Sequence, residues 1–252
     1  MKLIHLNYFE FKNSRFKTLA MKALLPFILL GLSNGSFAQP NITGAWQAGT
    51  EENQLVMIVA DKFYSVAVYN QKDKSYIGTY GGTFRIEKDE FIYLNEFNTL
   101  NKEDIGVEVR SAFQLKGNAM KLATYDFKRL DDGKPGQLAG AWLITGRVTG
   151  NGMQTMTPGA RKTMKILSGT RFQWIAYNSE TKEFFGTGGG TYTTENGKYT
   201  ETIEVFSRDN NRVGAKLEFD FSFVDGNWRH SGKSSTGQPI DEIWTQRQKL
   251  GI

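Results

Sequence analysis

Apolar residues recur at every second position over short stretches of this chain, and turn residues separate the stretches. Residues 105–115 show the pattern, with Val107, Val109 and Phe113 alternating against Glu108, Arg110 and Gln114. Such alternation is the signature of a strand with one face on a core. The same reading predicts strands near 44–46, 55–58, 63–69, 75–86, 91–97 and 120–127, with a loop over 98–104. A second series follows at 140–142, 164–167, 171–177, 183–193, 198–206, 213–224, 228–234 and 239–247. Gly117-Asn118 and Asp225-Gly226 are hairpin signals. Helical periodicity is almost absent, so the chain is predicted to be all-β.

The two series are copies. Residues 78–84, Gly-Thr-Tyr-Gly-Gly-Thr-Phe, return 108 positions later as Gly-Thr-Gly-Gly-Gly-Thr-Tyr at 186–192. The same shift maps Tyr69-Asn70 onto Tyr177-Asn178, Tyr64 onto Phe172, Ile58 onto Ile166, Glu96 onto Glu204 and Phe113 onto Phe221. One offset spanning so many positions marks an internal duplication. Each copy holds about eight strands in simple succession, and such a meander can close on itself and remove its exposed edges. Two tandem up-and-down antiparallel barrels are therefore expected, over 41–134 and 137–249. The glycines at 186–190 suit a strand that coils or bulges. They do not form a phosphate cradle, since no Lys-Ser/Thr follows and the run continues as strand. The segment 146–162, rich in Gly, Thr and Met, carries the extra residues of the second copy. It reads as part of the seam between barrels or as a lid over the second.

Residues 1–38 have the composition of a leader. Met21-Lys22 opens a basic region, 23–32 is apolar, and Ser36-Phe37-Ala38 offers small residues for cleavage. This predicts an N-terminal signal peptide, an upstream extension before Met21, and export to a periplasm or the exterior. No stable membrane span is expected after cleavage. The charge changes with it. Five of the 31 basic and one of the 26 acidic residues lie in this segment, which leaves 26 against 25, a net of +1. No basic field remains for nucleic acid. There are no cysteines, so an exported chain of this kind relies on packing alone. His230 is the one histidine outside the leader. No metal site and no cofactor are predicted.

Gly44-Ala45-Trp46 and Gly140-Ala141-Trp142 each head a meander. This Gly-x-Trp placement resembles the first-strand signature of the lipocalins and their calycin relatives, and both halves resemble the lipocalin-like domains of secreted bacterial proteins. The likeness covers nearly all of 41–248. It implies that each tryptophan closes one barrel end beneath an arginine of the last strand, Arg129 over Trp46 and Arg247 over Trp142. The chain has no Thr-Asp-Tyr-type loop motif and no disulfide, so the resemblance implies a barrel and no particular ligand.

A small barrel either fills with side chains or holds one small ligand. The second copy is the better candidate for a cavity, and Phe172, Trp174, Tyr177, Tyr192, Phe206 and Trp244 are its candidate aromatic ligand-binding residues. Alternation places Phe172, Trp174 and Ala176 on one face and Gln173, Ile175 and Tyr177 on the other, and puts Glu204 with Phe206. Three polar residues interrupt these faces: Glu204, His230 and Glu242. Pointing inward together, they would bind a polar head group or act as acid and base, so Glu204 and His230 join the candidate ligand-binding residues. Glu204 repeats Glu96, which points to a fixed partner such as an Arg or Lys. At the same offset His230 maps to Leu122 and Glu242 to Lys134, so neither is repeated. Three functions stay open. One is an exported carrier of a small apolar or amphipathic ligand, with a cavity lined by Trp174, Tyr177 and Phe206. Another is a hydrolase or isomerase using Glu204, His230 or Glu242. The third is a scaffold with filled barrels that recognises a protein or glycan by its surface.

Overall fold

The computed structural model describes residues 40–252, and the leader read at 1–38 lies outside the described residues. The described residues form one compact unit. The first copy is a closed eight-stranded antiparallel barrel in simple strand order. Its strands are β1 (Gly44–Thr50), β2 (Asn53–Ala60), β3 (Phe63–Asn70), β4 (Ser75–Glu87), β5 (Glu90–Asn98), β6 (Glu108–Lys116), β7 (Ala119–Leu122) and β8 (Tyr125–Asp131). The stretch read as one strand over 120–127 is thus two, broken at Ala123, which takes a positive φ of 52°.

The second copy runs β9 (Gly140–Thr149), β10 (Gly152–Thr155), β11 (Arg161–Leu167), β12 (Arg171–Asn178), β13 (Glu183–Glu195), β14 (Lys198–Phe206), β15 (Lys216–Val224), β16 (Asn227–Lys233) and β17 (Pro239–Gln246). Strand β9 pairs with β17 and closes an eight-stranded barrel, and β10 is an added ribbon on β9. The segment 146–162 is therefore largely strand. Its last residue, Lys162, reaches the seam, with its ammonium 5.9 Å from the Tyr177 ring and its charge acting on Glu96, while the buried seam residues described below come from other segments.

Each barrel closes over its first tryptophan. Trp46 Nε1 donates to Ile42 O and Trp142 Nε1 to Leu138 O, both at 2.9 Å. Arg129 lies 4.0 Å from the Trp46 ring, as the resemblance implied, and also donates to the backbone oxygens of Asn41 and Thr43. Arg247 does not repeat this. In the ladder Trp46 pairs with Arg129, but Trp142 pairs with Gln246. A slip of one residue turns a side chain to the other face of a sheet. Arg247 accordingly leaves the second barrel and sits 4.2 Å from the Phe63 ring of the first, with its Nη2 donating to Glu96 Oε1 at 2.5 Å.

The barrels share a buried seam. Strands β2 and β3 are apolar on both faces: Met57, Val59, Tyr64, Val66 and Val68 fill the first barrel, while Ile58, Ala60 and Phe63 pack with Leu143, Met164, Ile166, Ile175 and Tyr177 of the second. The polar contacts across the seam follow the duplication. Tyr177 Oη donates to Glu96 at 2.5 Å, and its counterpart Tyr69 donates to Glu204, the counterpart of Glu96, at 3.1 Å. Tyr76 stacks on Phe184, its own counterpart, at 6.2 Å. Residue i touching j′ while i′ touches j is the pattern of a two-fold interface.

The repeated glycines make these contacts by re-aiming the glutamates. Between β4 and β5 the register shifts at Gly81/Gly82, and between β13 and β14 at Gly189/Gly190, leaving Glu96 and Glu204 as extra bulged residues. A Cβ at Gly82 would fall 2.1 Å from Leu94 O, and one at Gly190 would fall 2.0 Å from Thr202 O. Only glycine lets the bulge close there. The bulge also overturns the expectation that Glu204 shares a face with Phe206: Glu204 turns to the seam and Phe206 to the barrel.

Burial pushes the Glu96 carboxyl up, but the Arg247 guanidinium and the hydrogen bonds from Arg247 and Tyr177 outweigh it, so the pKa is lowered. A carboxyl depressed in the folded state contributes stability above its unfolded pKa of about 4.3, and that contribution is lost as pH falls through the folded value. Glu96→Gln should therefore cost about 1–3 kcal/mol at pH 7. Urea melts should show the gap to the parent closing below about pH 4, and a gap that ignores pH would remove Glu96 from this role.

Candidate functional site

The interior of the second barrel contains a cavity of about 210 Å³. Its apolar wall is built from Trp174, Ile203, Phe206, Leu217, Phe219, Ile240 and Trp244. Trp174 and Phe206 meet edge to face at 5.7 Å. Gly188 makes room for them, since a Cβ there would lie 2.6 Å from the Trp174 Nε1 and 3.0 Å from the Phe206 ring. Ser234 and Ser235, in the turn between β16 and β17, border the cavity beside Thr163. No residue of 146–162 lines it, so that segment is not a lid over this cavity.

Four ionisable side chains converge inside. Lys165 Nζ and Glu201 Oε1 form an ion pair at 2.9 Å, with side chains only 6% and 4% exposed. The ammonium also lies within 6 Å of four rings, Tyr199, Trp228, Trp244 and Phe219. Each such contact adds cation–π attraction in a desolvated setting. Across the cavity His230 Nδ1 is 3.5 Å from Glu242 Oε2, long for a hydrogen bond, and Trp244 Nε1 donates to the same oxygen at 3.2 Å. Neither His230 ring nitrogen has a hydrogen-bond partner among the described residues. Burial, and then the nearby Lys165 charge, push the His230 pKa down to about 4, so the ring is neutral at ordinary pH. Burial would raise the Glu242 carboxyl, but contact with His230, then Lys165 and Arg147, holds it below the usual range.

The first barrel has the same frame without this chemistry. Ladder partners set the equivalences: Met57 and Lys165 each pair with the first tryptophan of their barrel, and Leu122 and His230 with Phe113 and Phe221. Tyr93 stands for Glu201. Glu242, opposite His230, corresponds to Tyr125, opposite Leu122. The sequence offset had assigned Lys134 to it, because the copies differ in length before this strand. Met57 and Phe113 join Trp46, Phe91, Met120 and Phe127 in the packed interior of the first barrel, with Tyr93 and Leu122 against them.

The candidate residues read from sequence divide into three groups. Trp174, Phe206, His230, Trp244 and Glu242 line the cavity. Phe172 and Tyr192 belong to the packed core of the same barrel, Phe172 edge to face with Tyr199 at 6.3 Å and Tyr192 donating to Ser168 O at 2.6 Å. Tyr177 and Glu204 lie in the seam, and Glu204 also pairs with Arg171. Tyr177 leaves the cavity because β12 alternates: Phe172 and Trp174 face the barrel, whereas Ile175 and Tyr177 face the first barrel. Glu204 is therefore not assembled with His230 and Glu242. Lys165 and Glu201 were missed. Their signal was available, as Glu201 is a lone charge between Tyr199 and Ile203 at alternate positions, and Lys165 interrupts the otherwise apolar run of Met164, Ile166 and Leu167.

A buried ion pair is costly to break and often dispensable as a whole. Lys165→Met, which restores the first-barrel residue, should leave Glu201 unpaired and destabilise the protein by about 3–5 kcal/mol. Adding Glu201→Tyr should recover most of that loss in chemical denaturation. Equal stability of the single and double variants would contradict the pairing.

No protein-family model matches the chain, and no curated protein matches it. Among solved structures, similarity is found to a lipocalin-like protein from Bacteroides uniformis ATCC 8492, at 16% identity and a TM-score of 0.31, covering 44% of this chain and 99% of that one.

Proposed function

We propose that this protein is an exported binding protein in which the second barrel holds a small apolar or amphipathic molecule, while the first is a filled support. One observation carries the reading. Two barrels of common origin share a frame, yet only the second places Lys165, Glu201, His230 and Glu242 where the first has Met57, Tyr93, Leu122 and Tyr125. Burying such groups works against stability unless something is gained by it. An apolar cavity with a few convergent polar groups is the usual form of a small-molecule site. The two Gly-x-Trp heads, the meander order and the Arg129–Trp46 closure support a lipocalin-like reading of the barrels. The composition of residues 21–38 supports export.

The neutral fluorophore N-phenyl-1-naphthylamine tests the reading. It should bind with saturable enhancement and a stoichiometry of one per chain. Leu217→Trp puts a bulky indole into the cavity wall and should weaken binding at least tenfold, with the circular dichroism unchanged. Undiminished binding by a folded Leu217→Trp variant would place the fluorophore elsewhere and count against the cavity.

A further inference from the structure

The cavity carries a definite charge, and that charge selects among amphipathic molecules. Lys165 and Glu201 neutralise each other at 2.9 Å. His230 is neutral. Glu242 is ionised at neutral pH, and its side chain is only 15% exposed. Its nearest remaining cation is Arg147 on β9, 4.0 Å away on a side chain that is 62% exposed. Solvent screens a pair of that kind, so Arg147 offsets little of the charge inside. Summed over the elements that face it, from β9, β11, β14, β16 and β17, the interior holds one excess negative charge.

The surroundings of that charge are aromatic. Trp244 donates its indole N–H to Glu242, and Trp174, Phe206 and Phe219 complete the wall of the same cavity. Indole and phenyl faces attract a desolvated cation. His230, only 2% exposed, adds ring nitrogens with no hydrogen-bond partner among the described residues, so a bound amine meets both a carboxylate and a neutral acceptor. A carboxylate head would instead meet Glu242 and Glu201, with Lys165 already paired. From this geometry we infer that the second barrel selects organic cations, an amine on an apolar body, with the ammonium at Glu242 and the apolar part against Trp174 and Phe206. This rests on the carrier reading above and narrows it.

Three ligands with one apolar chain test it: octylamine, 1-octanol and octanoate, titrated by calorimetry at pH 7. The amine should bind about tenfold more tightly than the alcohol, and octanoate should bind most weakly. Glu242→Gln keeps the shape and removes the charge, so it should abolish the preference for the amine and leave octanol affinity within about twofold. Retained octanol binding also reports that the variant is folded. Glu204→Gln, in the seam, should leave the preference intact. Equal affinities for all three, tightest binding of octanoate, or an amine preference that survives Glu242→Gln would overturn the inference and leave the carrier reading standing. If none of the three binds at millimolar concentration, the carrier reading falls and this inference with it.

Discussion

The hydrogen bonds from Tyr69 to Glu204 and from Tyr177 to Glu96 bind the two barrels into one body. Glu96, 15% exposed, finds both Tyr177 and Arg247 in the other barrel, whereas Glu204, 30% exposed, joins Arg171 of its own barrel to Tyr69 of the other. A largely desolvated carboxylate needs such partners. The requirement reaches back into the sequence through the bulge that points the glutamate outward and the glycine that lets the bulge close, Gly82 in one copy and Gly190 in the other. The stretch that first betrays the duplication is thus the stretch that builds the joint. The symmetry is incomplete where arginine enters. Arg171 pairs with Glu204 from within its own barrel, whereas Arg247 crosses from the end of β17 to reach Glu96 over the Phe63 ring.

A joint of this kind frees the interiors to differ. The outer faces of β2, β3, β11 and β12 are committed to the seam, and the first barrel can pack its inside with Trp46, Met57, Phe91, Phe113, Met120 and Phe127. The second has aromatic content as high, yet spends it differently. Tyr199 and Trp228 pack beneath Trp142 and around the Lys165 ammonium, and Trp174, Phe206 and Trp244 stand around open space. Lys165 and Glu201 carry no net charge together, so the character of the cavity falls to Glu242.

Strand order and the two barrels were legible from alternation, turn residues and the repeat, and the Trp46–Arg129 closure from the lipocalin resemblance that Gly-x-Trp carries. Part of the cavity lining was legible too, since Trp174, Phe206, His230, Glu242 and Trp244 border the same space. What was not legible came from faces. Alternation tells which residues share a side but not whether the outer side meets water or a second barrel. Tyr177 and Glu204 looked like cavity residues for that reason. The uninterrupted apolar run 55–60 in β2 was the available clue, because a strand buried on both sides loses its alternation. A bulge at Glu204 and a one-residue slip at Arg247 each turned a side chain to the opposite face. Such slips depend on partner-strand backbone, which a single sequence shows only through its glycines.

The five tryptophans allow the division of labour to be measured in one experiment. Trp46 lies inside the first barrel, Trp142 at the closed end of the second with Trp228 packed against it, and Trp174 and Trp244 on the cavity wall. Their indole N–H resonances, assigned by single substitution, report each place separately during a titration with 1-octanol. The account predicts that Trp174 and Trp244 move most and that Trp46 stays fixed. Movement of Trp46 together with the others, or saturable binding that leaves Trp174 and Trp244 unmoved, would contradict it.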